Sequence, residues 1–278
     1  MTSSSSAHQV VSVIIPAYNM AEYLASAIRS VLVGTYDDVD VICVDDGSTD
    51  DTADVAYAFT HPESEEYDPR VRYMRQPNQG KSAAVNQGIE AMHGAYFTVL
   101  DADDELPPTS LERRVQALQA TEDADLAIGS FAVINEDGET VGNARLAPVD
   151  PTPEALRHSF YLSYKTPFHF SACLLRQELV ERVGPFDTEL TRCQDGDYAI
   201  RSLMHTHGVV SIKDVVYLYR KHRDERSDRI RMRLATLQHR PTVLLKNFSF
   251  PQNYLYAFAT AAFDIAKLFY EVFSNYRK

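Results

Sequence analysis

Three carboxylates within four residues are the strongest chemical signal in this chain. Asp101, Asp103 and Asp104 directly follow an apolar, β-prone run at 96–100. This pattern predicts a buried strand whose carboxyl end opens into a site. Carboxylates this close repel one another, and a divalent cation would neutralise them. Hard oxygen ligands suit Mg²⁺ or Mn²⁺, which also hold substrate phosphates. An acidic, solvated loop is the alternative, and these residues alone do not separate the two.

A second acidic cluster follows another apolar run, at 39–44. Asp45 and Asp46 stand where this predicted strand leaves the core. Gly47 then permits a tight turn, and Ser48 or Thr49 can cap the next helix. Turn and cap chemistry explains most of this motif. A carboxylate at the strand end can also accept a hydrogen bond from a nucleotide base or a ribose hydroxyl.

Alternating strand and helix signals position both clusters. Four strands and four helices are predicted in the first part of the chain, in the order 10–17, 19–33, 39–44, 52–59, 71–75, 80–92, 96–100 and 107–120. Such alternation indicates parallel strands with helices on both faces of the sheet, and an α/β fold. Ligands bind at the carboxyl ends of the strands in these sheets. Polar residues cluster after each of the four strands, which favours a site there.

The second part of the chain is less regular. Its predicted elements are a strand at 126–135, a hairpin turn at 136–139, a loop at 149–153, a strand at 168–175, a helix at 177–183, a helix at 198–207 and a strand at 209–219. Two helices are expected after residue 228, split by a proline.

Composition excludes several classes of function. A net charge of −12 over 278 residues argues against general nucleic-acid binding, which needs a basic face. The three cysteines are far apart, so neither a disulfide framework nor a zinc site is expected, and a reducing compartment fits. Residues 1–9 are predicted to be a disordered tail without signal-peptide character. No apolar run is long enough to span a membrane, so we expect a cytoplasmic protein, with peripheral contact at the inner face of the membrane left open.

Four ordered motifs resemble the signatures of family 2 glycosyltransferases. They are Pro16-Ala17-Tyr18-Asn19, Asp45-Asp46-Gly47-Ser48, Asn78-Gln79-Gly80-Lys81 and Asp101-Ala102-Asp103-Asp104. The resemblance covers residues 10–222 and implies the GT-A fold, a mixed and mainly parallel sheet flanked by helices. It also implies an inverting enzyme with a catalytic domain at 10–225. Residues 10–105 would bind the nucleotide sugar and 106–225 the acceptor, and 226–278 would form a C-terminal helical extension.

The resemblance assigns donor-binding and metal-binding roles to particular residues. The donor-binding residues would be Pro16, Ala17, Tyr18, Glu22, Asp46, Asn78, Lys81, Asp101, Ala102 and Arg220. In that set, Asp46 would hold the nucleotide base and Glu22 would approach the ribose. Asp103 and His222 would hold Mn²⁺ or Mg²⁺ on the donor diphosphate. Asp104 would face the sugar or the acceptor, and His169 is a further candidate on the acceptor side.

A later pair of motifs contains the candidate general base. The segments Gly184-Pro185-Phe186-Asp187 and Gln194-Asp195-Gly196-Asp197 resemble the family's Gly-x-Phe-Asp and Glu-Asp-x-Asp elements. By that resemblance Asp195 is the base, and Gln194 and Asp197 lie near the acceptor or sugar. Acids at a helix start are also favoured by the helix dipole alone. Gln194 departs from the family's usual glutamate and could alter how the acceptor is held.

Two rival functions are considered. The motif at 100–104 also resembles the strand end of haloacid-dehalogenase-like phosphatases, but those need it on the first strand, and here it follows the fourth. A nucleotide-sugar-binding protein without turnover is the other rival, supported only by Gln194. For an enzyme, the donor would be a UDP-sugar, the family's commonest kind, or a GDP- or dTDP-sugar. A glycan, lipid-linked or small-molecule acceptor would fit, in polysaccharide, glycan or glycolipid biosynthesis.

The segment after residue 226 lies outside the resemblance. It is locally basic and rich in aromatic residues. A pair of helices packed on the catalytic domain would explain this composition. A homodimer interface or a contact with a membrane surface would explain it as well.

Overall fold

The computed structural model describes residues 9–149, 151–162, 167–222, 242–243 and 246–247. The strands in these ranges are β1 (Val11–Ala17), β2 (Val39–Asp45), β3 (Val71–Arg75), β4 (Tyr96–Val99), β5 (Leu126–Ile134), β6 (Cys173–Arg176) and β7 (Val209–Arg220). The helices are α1 (Leu24–Leu32), α2 (Thr52–Thr60), α3 (Lys81–Ala91), α4 (Ser110–Ala120), α5 (Pro153–Leu162), α6 (Gln177–Val183) and α7 (Gln194–His205).

These strands form one sheet in the order β3-β2-β1-β4-β6-β5-β7. β1 pairs in parallel with β2 and β4, and β2 pairs in parallel with β3, so the carboxyl ends of these four strands share one edge. β6 is antiparallel to both β4 and β5, and β5 is parallel to β7. The prediction of a mixed, mainly parallel sheet is confirmed. Strands β1 to β4 are parallel, and the antiparallel strand β6 lies next to β4 in the sheet.

Hydrophobic cores cover both faces of the sheet. Val13 and Ile15 of β1 point into one core and Ile14 into the other, and all three are fully buried. Burial on both faces explains why β1 and β4 are almost continuous apolar runs rather than alternating ones, whereas the parallel edge strand β3 is only partly buried and carries two arginines. Each fully buried aliphatic side chain of this size stabilises the fold by about 1.5–3 kcal/mol, so the strand ends are held on a rigid support.

The first helix begins later than predicted. The sequence placed its start at Asn19, but α1 begins at Leu24. Asn19 instead has a left-handed backbone, with φ 54°. Its amide N–H donates to the Ser48 hydroxyl at 2.9 Å, and its side-chain oxygen accepts from the Thr49 N–H at 2.8 Å. The residues expected to cap α2 therefore brace the loop after β1.

Three further elements differ from the prediction. Only the end of the predicted strand at 168–175 is extended, because Phe170–Ala172 form a turn of 3-10 helix before β6. The helix predicted at 198–207 begins earlier, at Gln194, since Gly196 within its first turn obscured the helical pattern. α5 was not predicted because its Pro153 was interpreted as part of a loop, although proline is compatible with the first turn of a helix.

Most of the two predicted terminal segments lies outside the described residues. Of the tail at 1–9, only Gln9 is described, and of the extension at 226–278, only residues 242–243 and 246–247, all helical. Val243 is 4% exposed and belongs to one of the two cores. Among the described helices, none has both the length and the apolar character to cross a bilayer.

Candidate active site

The acids at the end of β2 hold the neighbouring loops together. Asp45 is buried and accepts hydrogen bonds from the Ser48 N–H and the Tyr73 hydroxyl, both at 2.7 Å. Buried Asp46 accepts from the N–H groups of Gln79 and Gly80 at 2.8 and 2.7 Å, and from the Gln76 side chain at 2.7 Å. Asp46 therefore fastens the β3–α3 loop to the edge of the sheet where ligands are expected.

The other residues predicted to bind the nucleotide surround this edge. Ala17 is buried and Pro16 half-buried at the end of β1, while the Tyr18 ring is 45% exposed. Glu22 and Asn78 are exposed on the two loops that follow β1 and β3. A flat, accessible aromatic ring beside buried carboxylates can stack against a planar base.

A cleft of about 570 Å³ lies beside this edge. It brings together five of the predicted site residues, namely Lys81, Asp101, His169, Gln194 and Asp195. The rest of its lining is Gln79, Gly80, Ser82, Thr188, Leu190, Thr191, Arg192, Cys193 and Tyr219. It therefore joins the start of α3 and the end of β4 to the segment leading into α7.

Lys81 links the two acidic motifs across the cleft. Its ammonium nitrogen lies 2.7 Å from Oδ1 of Asp101 and 3.1 Å from Oδ2 of Asp195. Burial alone would lower the pKa of Lys81, but the attraction of the two carboxylates outweighs burial and raises it. Burial likewise would raise the pKa of Asp101, and the Lys81 ammonium lowers it instead. Both groups are therefore charged at neutral pH, and the candidate base lies against a cation.

His169 lines the same cleft as an uncharged ring. It stacks on Tyr217, with ring centroids 5.0 Å apart, and contacts Tyr219 at 5.6 Å. Burial lowers the pKa of His169, and Asp101 and Asp195 only partly oppose this. Its Nδ1 atom is buried without a hydrogen-bond partner. The uncharged ring therefore keeps one buried, unpaired nitrogen, near the two carboxylates of Asp101 and Asp195.

Asp103 and His222, the two predicted metal ligands, contact each other directly. His222 Nε2 lies 2.7 Å from Oδ2 of Asp103, and both side chains are partly exposed. The Tyr23 and His222 rings pack in a T-shaped arrangement, with centroids 5.1 Å apart. In the described part of the chain, no group of three acidic, histidine or cysteine side chains could hold a metal ion. Two protein ligands still fit Mg²⁺ or Mn²⁺, which commonly take their remaining ligands from phosphates and water.

Asp104 differs from its two neighbours because it is buried. Its side chain accepts hydrogen bonds from the Tyr217 hydroxyl and, at 2.6 Å, from the Arg220 N–H. Burial first, and then repulsion by Asp101 and Asp103, raises the pKa of Asp104 to about 8. Asp104 thus connects the turn after β4 to two residues of β7. Ala102, also buried, lies within the same turn.

The Arg220 side chain makes four hydrogen bonds to protein groups. Its guanidinium donates to the Asp103 carbonyl at 2.8 Å, to the Asn135 and Glu136 carbonyls at 2.9 and 2.8 Å, and to the Glu105 carboxylate. The side chain is 4% exposed. These contacts favour a supporting role at the acidic turn. Its role in donor binding, implied by the family resemblance, stays a prediction.

The candidate base lies in the first turn of α7. Cys193 precedes this helix with a left-handed backbone, φ 62°, which turns the chain into the cleft. The Asp195 side chain is 36% exposed, and Gln194 is half-buried beside it. Asp197 was expected near the acceptor, yet its side chain is 1% exposed, and Oδ2 accepts from Arg201 Nε at 2.8 Å. Asp195 and Gln194 face the cleft, whereas Asp197 supports the helix behind them.

The sequence reasoning missed the segment at 188–193 and Tyr219, which also line the cleft. A usable signal was present for the segment, because it lies between the two motifs at 184–187 and 194–197. Tyr219 also had a signal, because it begins the segment Tyr219-Arg220-Lys221-His222, which resembles the family's Tyr-Arg-x-His motif and contains two of the predicted site residues.

Comparison with known proteins agrees with this architecture. A family model described as glycosyl transferase family 2 matches residues 12–184, more than half of the chain. An uncharacterized glycosyltransferase of Rickettsia conorii is 32% identical over 191 residues, covering 68% of this chain and 30% of the relative. Glycosyltransferase GlyG of Streptococcus pneumoniae is 37% identical over 124 residues, covering 44% of this chain and 39% of that protein. The match thus spans only about a third of these relatives' lengths.

Solved structures share the fold over nearly the whole chain. Staphylococcus aureus TarS 1–349 in complex with UDP-GlcNAc gives a TM-score of 0.64 at 16% identity, covering 95% of this chain and 72% of that one. A mannosyltransferase of Pyrobaculum calidifontis with GDP-Man and Mn²⁺ gives 0.61 at 23% identity, covering 92% and 74%. The sheet, its carboxyl edge and these neighbours define a GT-A fold. The family match then identifies the chain as a member of glycosyltransferase family 2. That match ends before Asp195, so the base assignment rests on the resemblance and on the geometry of the cleft.

Proposed function

We propose that the chain is an inverting glycosyltransferase that moves a sugar from a nucleoside diphosphate to an acceptor hydroxyl. The observation that carries the proposal is the position of Asp195, which faces the same cleft as Lys81 and Asp101. A uridine donor is the commonest kind in the family. UDP-GlcNAc and GDP-Man in the two structural neighbours support a nucleoside diphosphate sugar as the donor class.

The donor would lie along the carboxyl edge of the sheet. Tyr18 offers an exposed ring for the base, and Asp46 holds the adjacent loop. Lys81 pairs with the candidate base at 3.1 Å, and its ammonium can contact the diphosphate or the sugar. Asp103 and His222 would hold Mn²⁺ or Mg²⁺ there. When bound, such an ion neutralises the negative charge that grows on the leaving diphosphate.

The base would act from the other side of the cleft. Asp195 would accept the proton of the acceptor hydroxyl as that oxygen forms a bond to the anomeric carbon of the sugar. The bond between the anomeric carbon and the diphosphate oxygen breaks, and its electron pair leaves with the diphosphate. Attack from the face opposite the leaving group inverts the anomeric configuration. His169, which burial keeps uncharged and which lines the same cleft, lies where a sugar or acceptor hydroxyl would approach Asp195.

Asp195→Asn tests this assignment. The amide keeps the shape of the side chain but cannot take a proton at neutral pH, so transfer or hydrolysis of the donor should fall at least 100-fold. UDP binding with Mn²⁺, measured by calorimetry, should stay within about threefold of wild type. Asp214→Asn, an exposed acid on β7, is the matched control. An active Asp195→Asn protein would refute the base assignment, and a wild-type protein that binds donor without turnover would support the non-catalytic alternative.

A thermal-shift screen of nucleotide sugars with Mn²⁺ identifies the donor. A ligand that binds only the folded state raises the melting temperature, by an amount set by its affinity. Asp103→Ala should remove the Mn²⁺-dependent part of this shift and leave the metal-free part. If the Mn²⁺-dependent shift persists in Asp103→Ala, the metal assignment is wrong.

A further inference from the structure

One wall of the cleft is a short segment that leads into α7. Residues 188–195 supply seven of the cleft's lining positions, including the candidate base. Two acids flank this segment, Asp187 at its start and Asp197 just after its end. Neither belongs to the cleft lining. We call residues 188–195 the acceptor wall, because by the proposed function the acceptor hydroxyl would approach Asp195 there.

Both flanking acids contact the same short part of the C-terminal region. Lys246 Nζ donates to Oδ2 of Asp187. Asn247 Nδ2 donates to Oδ1 of Asp197 at 2.8 Å and to the Val243 carbonyl at 2.9 Å, so both of its amide hydrogens are used. Val243 anchors this part of the chain, since its side chain lies in one of the two cores.

The two contacts differ in burial, and both are electrostatically favourable. The Asp197 side chain is almost fully buried, so its second oxygen needs a donor as well as the one that Arg201 gives to the first. Asn247 provides that donor. At the other end, the hydrogen bond from Lys246 is the main cause of a lowered Asp187 pKa. Asp187 also accepts from the Glu189 N–H at 2.9 Å, which joins the contact directly to the wall.

Helix α3 fixes the chain just before the acceptor wall, at Phe186. The Asn86 side chain accepts from the Phe186 N–H at 2.7 Å and donates to the Phe186 carbonyl at 2.9 Å. The Phe186 ring stacks on Tyr198, with centroids 3.8 Å apart. The wall thus begins and ends at fixed points, and residues 246–247 supply a partner at each of them.

We propose that Lys246 and Asn247 are positioning residues that fix the two ends of the acceptor wall and thereby aim Asp195. That the wall receives the acceptor rests on the proposed function. That residues 246–247 hold the two ends of the wall does not depend on it. It assigns the C-terminal region a role in the acceptor half of the site. Donor binding should be independent of it, because the contacts of residues 246–247 described above all lie on the acceptor side.

The test uses Lys246→Met and Asn247→Ala, separately and together, in the full chain. Hydrogen exchange of a peptide covering 188–195 should be at least tenfold faster in the double variant, while a β2 peptide covering 39–45 exchanges as in wild type. Asn247→Asp, which places a second carboxylate against Asp197, should have a larger effect than Asn247→Ala. Lys246→Arg should restore wild-type exchange. Lys213→Met, at an exposed lysine of β7, is the matched control.

UDP binding and hydrolysis of a nucleotide sugar are measured on the same variants. UDP affinity with Mn²⁺ should stay within twofold of wild type, while hydrolysis of the best nucleotide sugar from the thermal-shift screen falls tenfold or more. Unchanged exchange of the wall in every variant would overturn the proposal. If the β2 peptide also exchanges faster in the double variant, the exchange of the 188–195 peptide in Lys246→Met is used instead. The Lys246 side chain is half exposed, so its replacement does not disturb the core. A wild-type protein that binds no UDP counts against the proposed uridine donor, and the exchange data still decide the positioning role.

Discussion

Replacing Arg220 with methionine separates two roles for this residue. The family resemblance assigns Arg220 to donor binding, where its charge would face the phosphates, whereas the structure surrounds its guanidinium with four protein acceptors. Its guanidinium also lies 5.5 Å from the centre of the Tyr23 ring, beneath the loop that carries Glu22. Methionine keeps the length and apolar character of the side chain and removes every donor. The supporting role therefore predicts a loss of stability.

The size of that loss follows from the partners. Hydrogen bonds to a charged group contribute about 1.5–3 kcal/mol each. Simple addition overstates the loss, because the Glu105 carboxylate is 27% exposed and water can replace the guanidinium there and at the Glu136 carbonyl. Removal of one partner of a buried pair typically costs about 3–5 kcal/mol, and we expect a loss in that range. For a chain of this size, that lowers the melting temperature by about 6–20 °C.

The assay is thermal unfolding followed by metal-free UDP titration of the folded protein in EDTA. Arg220→Met should melt at least 6 °C below wild type and bind UDP within about threefold of it. Arg145→Met is the matched control, because this exposed arginine packs on Phe131 of the neighbouring strand and should change stability by less than about 0.5 kcal/mol. A variant that melts within 1 °C of wild type but loses tenfold or more in UDP affinity would refute the supporting role and favour a phosphate contact.

Two further predictions concern packing and thiol chemistry. Gly129→Ala should destabilise the protein by about 1–3 kcal/mol in urea unfolding, because the new Cβ would lie 2.1 Å from a methyl group of Val216. Adding Val216→Ala should recover part of the loss, and a fully stable single variant would contradict the packing. Of the three cysteines, only half-buried Cys193 should react quickly with a thiol reagent in the native protein. Cys43 and Cys173 are buried with raised pKa values, about 12 for Cys43, so rapid reaction of a second thiol would contradict this.

The parallel half of the sheet was predictable from sequence for a simple physical reason. A strand buried on both faces must be a continuous apolar run, so β1, β2 and β4 are visible as such. Their carboxyl ends then share an edge, which brings Asp46 and Asp101 to one side of the molecule before any contact is known. The predicted grouping of Lys81, Asp101 and Asp195 in one cleft follows from the same logic together with the family motifs.

Other features depend on contacts between distant residues and have no local signal. Asp197 resembles Asp195 in sequence, yet one side chain is buried and the other faces the cleft, because successive positions of a helix point in different directions. Likewise, a polar residue such as Asn247 gains its meaning only from the acid that it contacts fifty residues earlier. Sequence patterns show which residues can do chemistry, and the fold decides which of them face the cleft.

The acidic turn after β4 illustrates the same point through charge. Three carboxylates in four residues suggested a shared cation, but each has a different partner in the structure. Asp101 pairs with Lys81, Asp103 contacts His222, and Asp104 is buried against β7 with a raised pKa. Repulsion among them is thus already reduced by protein groups, and charge alone does not demand a metal ion. Among the residues that the structure describes, Asp103 and His222 would provide two ligands, so a divalent ion there would take further ligands from the donor diphosphate and water. Binding of the metal ion would then be coupled to the presence of the donor.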